Sequence, residues 1–429
     1  MLTSANEECM ENCTLRPVLF EGGWAADAVF RKGRLPMTYK ELMGEKISAL
    51  GFGAMRLPTK EDGSIDEVRV AEMTEYAISH GVNYFDTAFP YHSGKSEIVM
   101  GKVLKAYPRD SYYLATKYPG HQVAETYDPE KTFEEQLKKC GVEYFDFYLL
   151  HNFCEKCFDV YTSEKWGIIP YFLEQRRKGR IRHLGFSSHS QADHLKKILD
   201  LYGDELEFCQ IQMNYLDWTL QNARKKCEYL NECNMPIWVM EPVRGGKLAN
   251  VPESLRTEMK GLRPGSTPAE WALRFVKQVP GVGVVLSGMS SLEQMKENVE
   301  TFSGGNDLDE KEIAFLMDAA EKLKDSVPCT GCRYCCDGCP AGLDIPMLIS
   351  AYNDAKFAPN AFTVPMMLST LPEDKLPDAC LECGQCSAVC PQKIDVPAVM
   401  KDFSEIRKTL PDWDEVCRQR ALAAKENRN

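Results

Sequence analysis

The feature that most constrains this chain is a regular alternation from about residue 45 to residue 300. Short apolar or β-branched runs are each followed by an amphipathic stretch. The strand-like runs are "ISALGFG", "VNYFDTA", "SYYLATK", "YFDFYLLH", "IRHLGFSS", "EFCQIQMNY", "PIWVMEPV" and "GVGVVLSG". The helix-like runs include "DEVRVAEMTEYAISHG", "SEIVMGKVLKAY", "PEKTFEEQLKKCG", "GIIPYFLEQRRKG", "QADHLKKILDLYG", "NARKKCEYLNEC", "TPAEWALRFVKQV" and "LEQMKENVE". Several end in Gly, the residue suited to a left-handed C-terminal cap. Eight strand–helix units in a span of about 250 residues predict an α/β fold, a (β/α)8 TIM barrel. A doubly wound open sheet is the alternative. It usually shows a Gly-rich fingerprint after its first strand, and "GFGAMRLP" is not G-x-G-x-x-G.

After a further helix, "DEKEIAFLMDAAEKLKD", the composition changes at about Val327. Two matched runs follow. Cys329, Cys332, Cys335 and Cys339 precede Pro340, and Cys380, Cys383, Cys386 and Cys390 precede Pro391. Each run is C-x2-C-x2-C-x3-C-P, continued by "AGLDIP" in one copy and "QKIDVP" in the other. In both, an Asp two residues before Pro suits a helix cap. Three cysteines at this spacing wrap one face of a 4Fe–4S cube, and the fourth reaches the other cluster. One site is then Cys329, Cys332, Cys335 and Cys390. The other is Cys380, Cys383, Cys386 and Cys339. Zinc also accepts paired C-x2-C, but it leaves the middle cysteine of each run unexplained. Cys336 is off-register and reads as a bystander. The expected organisation is an extension over 1–36, a barrel over 37–325 and a small α-helical ferredoxin-like domain over 326–429.

Residues 1–36 carry no sustained periodicity. A flexible extension and a start codon assigned too early both fit, the second preferred. Cys9 and Cys13 have no further ligands nearby to complete a metal site. The net charge of −12 argues against nucleic acid or an anionic membrane surface as partner. No apolar run approaches the length of a membrane span, and the first residues lack the pattern of a signal peptide. A cytoplasmic location is the default. There, eighteen cysteines point to metal or redox chemistry, not disulfides.

A barrel carries its chemistry where its strands end. Asp86 ends the second strand-like run, Lys117 the third and His151 the fourth, while Tyr91 lies in the loop after Asp86. One strand-end His or Lys is usually structural; four such groups on three adjacent strands are harder to dismiss. With "GFGAMRLP", "YFDTAFPYHSGKSE", "YLATK", "LLHN", "IRHLGFSSH" and "SGMSSLEQMKENV", in that order, residues 37–325 resemble an aldo/keto reductase. The tail resembles helical two-cluster ferredoxin modules. Together they look like the iron–sulfur-bearing branch of that family.

The resemblance implies reduction of a small-molecule carbonyl, or oxidation of an alcohol. Tyr91 is then the general acid, Lys117 lowers its pKa, Asp86 holds Lys117, and His151 orients the carbonyl. A nicotinamide, NADP or NAD, would lie across the barrel mouth. It would contact Ser187, Ser188, Gln210, Gly288, Ser290, Gln294, Glu297 and Asn298. Taken alone, Gln294, Glu297 and Asn298 are an ordinary polar helix face. There are departures. Met240 stands where the family commonly has an aromatic residue at the end of the seventh strand, with Glu241 after it. The stretch 288–298 lacks the Arg often used against a 2′-phosphate. Cys154-x2-Cys157, in the loop after His151, fits a redox pair or zinc site, though an isolated pair of this kind is more often two free thiols.

The two halves do not connect simply. A hydride is an electron pair, whereas a cluster passes single electrons, and flavin is the usual device between them. The sequence shows no clear flavin motif. The alternatives are an unrecognised flavin or partner flavoprotein, a substrate that accepts electrons singly, or clusters that only stabilise the tail. A competing reading is an electron-transfer or binding subunit with a weak barrel, its clusters serving a redox protein partner.

Overall fold

The computed structural model describes residues 36–413, apart from 123, 324–326 and 358–362. The N-terminal extension, with Cys9 and Cys13, lies outside the described residues. The first predicted strand divides in two. Strand β1 (Tyr39–Leu42) pairs antiparallel with β2 (Glu45–Ser48), and β3 (Leu50–Gly53) then enters the barrel. The hairpin turns on Met43 and Gly44, both at positive φ (53° and 80°). Two-residue hairpins favour that geometry, but Met-Gly lacks the usual Asn-Gly signal.

The remaining strands are β4 (Tyr84–Asp86), β5 (Tyr113–Tyr118), β6 (Phe145–Leu150), β7 (Ile181–Ser188), β8 (Cys209–Gln212), β9 (Ile237–Met240) and β10 (Val282–Ser287). They close in the order β10-β3-β4-β5-β6-β7-β8-β9, every neighbouring pair parallel. Each predicted helix forms close to its expected limits. Asp66, Asp128 and Ser291 cap three of them by accepting a backbone N–H, and Thr267 forms a capping box with Glu270. A helix over Glu253–Leu262 between β9 and β10 was not foreseen.

Alternate strand residues fill the barrel. Tyr84, Phe147, Phe208 and Trp238 form its aromatic centre, with Phe208 and Trp238 centroids 4.7 Å apart. A Cβ at Gly185 would lie 2.5 Å from the Phe208 carbonyl oxygen, so only glycine lets β7 approach here. Leu42 and Met43 pack against this interior from the hairpin and seal the end where the strands begin. The other end remains for chemistry.

The tail has its own apolar cluster, built on helices Ile345–Phe357 and Val396–Arg407. The two repeat aspartates act as caps: Asp344 accepts from the Met347 N–H at 3.3 Å, and Asp395 from the Ala398 N–H at 3.3 Å. The tail lies over the barrel mouth. Arg56, just after β3, donates to the carbonyls of Thr330 (2.6 Å) and Gly331 (3.4 Å) and pairs with Glu241 after β9 (3.4 Å). Gln392 donates to Gln212 Oε1 at the end of β8 (2.7 Å) and accepts from Gln221 (2.6 Å).

Gly245, at φ +64°, sits so close to the tail that a Cβ would lie 2.0 Å from the Thr330 carbonyl oxygen. Replacing it by alanine adds a clash and a strained backbone, together on the order of 1–3 kcal/mol. Gly245→Ala is therefore expected to raise amide hydrogen exchange around 329–334 by roughly tenfold or more while leaving the barrel strands protected.

Candidate active site and metal centres

Parallel strands put the ends of β4, β5 and β6 side by side. Asp86, Lys117 and His151 therefore meet without any loop having to carry them. A cavity of about 910 Å³ opens above them. Asp86, Tyr91, His151 and Gln210 line it, as do Gly288, Ser290, Gln294, Glu297 and Asn298. Lys117 lies just beneath, fully buried. Its Nζ donates to Asp86 Oδ1 (2.5 Å) and to the Thr87 carbonyl (2.8 Å) and stands 5.2 Å from the centre of the Tyr91 ring. Burial works against both charges, raising the Asp86 pKa and lowering that of Lys117.

Burial and the neighbouring Asp86 also hold the Tyr91 phenol well above its ordinary pKa, while Arg56 pulls it down. The sequence led us to expect a lowered value through Lys117. Lys117 gives its donors to Asp86 and the backbone instead, and the resting site keeps Tyr91 as a neutral phenol.

His151 meets Tyr91 edge-on, with ring centroids 6.0 Å apart, and packs against His121 at 4.3 Å. Burial keeps the imidazole neutral, with a pKa well below 6.5. His121 (about 4) and His189 (about 3) shift the same way, mainly through burial. His121 and His189 escaped notice in the sequence, although each follows closely on a barrel strand. So did Arg56 and the cations Arg256 and Lys260, which also line the cavity.

The nucleotide candidates are placed unevenly. Gln210 Oε1 is buried without a partner among the described residues, as a site awaiting a carboxamide requires. Ser290 N–H donates to Gln294 Oε1 (2.8 Å), and Ser290 Oγ donates to the Arg56 carbonyl (2.8 Å). Asn298 donates to Ser287 Oγ (2.9 Å), and Glu297 accepts from Thr267. Ser187 and Ser188 do not line the cavity. Ser187 Oγ accepts the Asn152 N–H, and Ser188 Oγ donates to the Phe153 carbonyl, so both serve the loop after β6.

The tail cysteines converge across the two runs. Cys390 interacts electrostatically with Cys329 and Cys332, and both of these with Cys335. Cys339 lines a second, smaller cavity with Cys380, Cys383 and Cys386. Arg244 is fully buried, and its Nη1 and Nη2 have no partner among the described residues; burial raises the Cys329 pKa, and the Arg244 charge works against that rise. A cation with spare donors beside Cys329 suits an anionic iron–sulfur group. Cys336 hydrogen-bonds Cys335. Among the described residues, no group of His, Cys, Asp or Glu converges tightly enough for a single ion.

The tail also reaches the active-site cavity. Thr330, Cys332, Tyr334 and Pro391 form part of its wall.

The family model described as "Aldo/keto reductase family" matches residues 49–321, and the one described as "4Fe-4S dicluster domain" matches 328–394. The chain belongs to the aldo/keto reductase family and carries a C-terminal iron–sulfur domain, which makes it an oxidoreductase. It is 29% identical to an L-galactose dehydrogenase of Arabidopsis thaliana, over 60% of this chain and 84% of that protein. It is 25% identical to an NADH-specific methylglyoxal reductase of Escherichia coli, over 57% of this chain and 85% of that one. Among solved structures, the holo form of an aldo-keto reductase from Bacillus halodurans shares the barrel. The TM-score is 0.54 at 24% identity, covering 66% of this chain and 96% of that one.

The buried histidines set a pH dependence. His151 holds its proton less tightly when folded than its ordinary value of 6.5, so the unfolded chain binds more protons below that pH. Stability contributed by neutral His151 is present above about pH 6.5 and is lost as pH falls. In urea unfolding between pH 6 and 5, His151→Asn is expected to reduce the slope of stability against pH by up to about 1.4 kcal/mol per unit.

Proposed function

We propose that the barrel reduces a small carbonyl, or oxidises the matching alcohol, with NADP or NAD, and that its mouth exchanges electrons with two 4Fe–4S clusters held by the tail. The observation that carries this reading is the shared wall: Cys332 and Tyr334 of the tail line the same cavity as Tyr91 and His151. When bound, the nicotinamide supplies a hydride and each cluster supplies single electrons.

The chain's own groups do the rest. Tyr91 holds its proton at neutral pH and gives it to the carbonyl oxygen as negative charge builds there. Lys117, over the Tyr91 ring, stabilises the phenolate left behind, and Asp86 keeps Lys117 in place. Neutral His151 orients the carbonyl and polarises it. Gln210, Ser290, Gln294, Glu297 and Asn298 are positioned to hold the nucleotide; Ser187 and Ser188 would act through the loop they brace. Arg256 and Lys260 suit a 2′-phosphate, which favours NADP. The first cluster would take Cys329, Cys332, Cys335 and Cys390, the second Cys380, Cys383, Cys386 and Cys339. The domain division at 325/326 and a cytoplasmic setting fit the free thiols and the change in composition. The relatives' names point to small polar carbonyls or alcohols as the substrate class.

Anaerobic stopped-flow absorbance tests the circuit. Oxidised, iron-loaded protein is mixed with NADPH or NADH, and reduced protein with the oxidised nucleotide. Bleaching or recovery of the cluster band within catalytic times is expected in at least one direction. A band that stays still in both while a carbonyl is reduced would sink the reading. Tyr91→Phe is expected to lower kcat/KM for carbonyl reduction by about 10²- to 10⁴-fold with the iron content unchanged.

The crossed ligand sets make a second prediction. Cys329→Ala and Cys390→Ala should each remove about four of about eight iron atoms, and the double variant no more than either alone. Cys329→Ala combined with Cys380→Ala should remove nearly all. Iron and sulfide assays read the difference.

A further inference from the structure

The loop after His151 carries a close cysteine pair that the reading above leaves unused. Cys154 and Cys157 have their Sγ atoms 3.7 Å apart. The Cys154 N–H donates to Cys157 Sγ (3.4 Å), and the Cys157 thiol donates to the Asn152 carbonyl (2.8 Å). The backbone thus already folds the two sulfurs toward each other, and a bond of about 2.05 Å needs only a small movement of two side chains. Both residues are buried, at 9% and 4% exposure. Bulky external oxidants and thiols are kept away, which leaves small reagents and the protein's own centres as electron partners.

The residues between the two cysteines show where that partner lies. Lys156 Nζ donates to the Ala388 carbonyl at 2.6 Å. Glu155 pairs with Lys393 at 3.6 Å. Ala388 and Lys393 bracket Cys390, the cysteine that crosses to Cys329 and Cys332. Glu155 also accepts the Gln191 N–H at 2.9 Å, which ties the loop to the barrel. The Cys-x2-Cys turn is therefore clamped between the barrel rim and the segment of the tail where the two cysteine runs meet.

We propose that Cys154 and Cys157 form a redox-active dithiol that opens and closes a disulfide by exchanging electrons with the tail's iron–sulfur clusters. This rests on the cluster reading above. The step balances. Closing the S–S bond breaks two S–H bonds and releases two protons and two electrons, and two oxidised clusters take one electron each. Opening it consumes two protons and one electron from each reduced cluster. A side-chain pair that works in twos thus stands beside a tail whose centres work in ones. The close contact with Cys157 supports the same assignment by pulling the Cys154 thiol below its ordinary range, which favours a thiolate on that sulfur.

The test uses the full chain as purified with its iron. The protein is treated anaerobically with one equivalent of the thiol oxidant diamide, then mixed in a stopped-flow with reduced methyl viologen at about two electron equivalents per chain. The cluster band is expected to bleach and then recover as the electrons settle in the disulfide. In Cys154→Ser, treated alike, it should bleach and stay bleached. Acid quenching, alkylation and peptide mass analysis read the thiols directly. The peptide spanning 154–157 should be unalkylated and about 2 Da lighter before the viologen, and doubly alkylated after recovery.

Two results overturn the proposal: both thiols alkylating fully after diamide, or a band that stays bleached in the native chain as in the variant. Iron and sulfide assays on the same sample report on the clusters separately. A chain without iron sinks the cluster reading and the exchange with it, whereas an iron-loaded chain whose thiols never pair sinks the exchange alone.

Discussion

Everything in this protein follows from closing eight parallel strands on themselves. Parallel strands run the same way, so all eight end on one rim, and residues far apart in sequence become neighbours there. Asp86 and Lys117 are joined at 2.5 Å because β4 and β5 are adjacent in the closed sheet. The opposite rim is sealed by the entry hairpin. What remains is one open mouth, and the tail is fastened over it by Arg56, Gln392 and the close passage of Gly245. The chain brings its iron–sulfur domain to the same face where the barrel does its chemistry.

Much of this was legible because it is periodic or spaced. The eight strands and their helices were readable from alternating apolar patterns, and Asp86, Lys117 and His151 from their places at strand ends, with Tyr91 in the loop after Asp86. The cysteine runs stood out by their repeated spacing, and the 4Fe-4S dicluster domain falls on them. What stayed hidden depends on distance between segments. Nothing in "GAMRLP" says that Arg56 will hold a tail nearly three hundred residues later. Ser187 and Ser188 look available in sequence, but the loop after β6 claims their hydroxyls. The Tyr91 pKa was misjudged for a similar reason. A nearby lysine suggests a lowered value, whereas burial and an intervening carboxylate decide the sign.

Charged side chains recur where the two halves meet, some half-buried and one fully buried. Arg56 faces Glu241 and two tail carbonyls. Arg244 holds Asp217 with Nε (3.1 Å) while its other nitrogens stay uncommitted beside Cys329. Water is a poor competitor at such sites, so these contacts keep their strength and geometry.

The wall formed by Thr330, Cys332, Tyr334 and Pro391 has a consequence for the life of the protein in the cell. A molecule bound in the mouth touches residues of both halves, so the pocket has its full shape only once the tail has folded. If filling of its cysteine sites helps the tail to fold, the cavity inherits that dependence. A chain made while iron is scarce would have a different cavity, with different preferences, and not merely an interrupted electron path. The selectivity of the barrel would thereby be tied to metal supply through the shape of one wall.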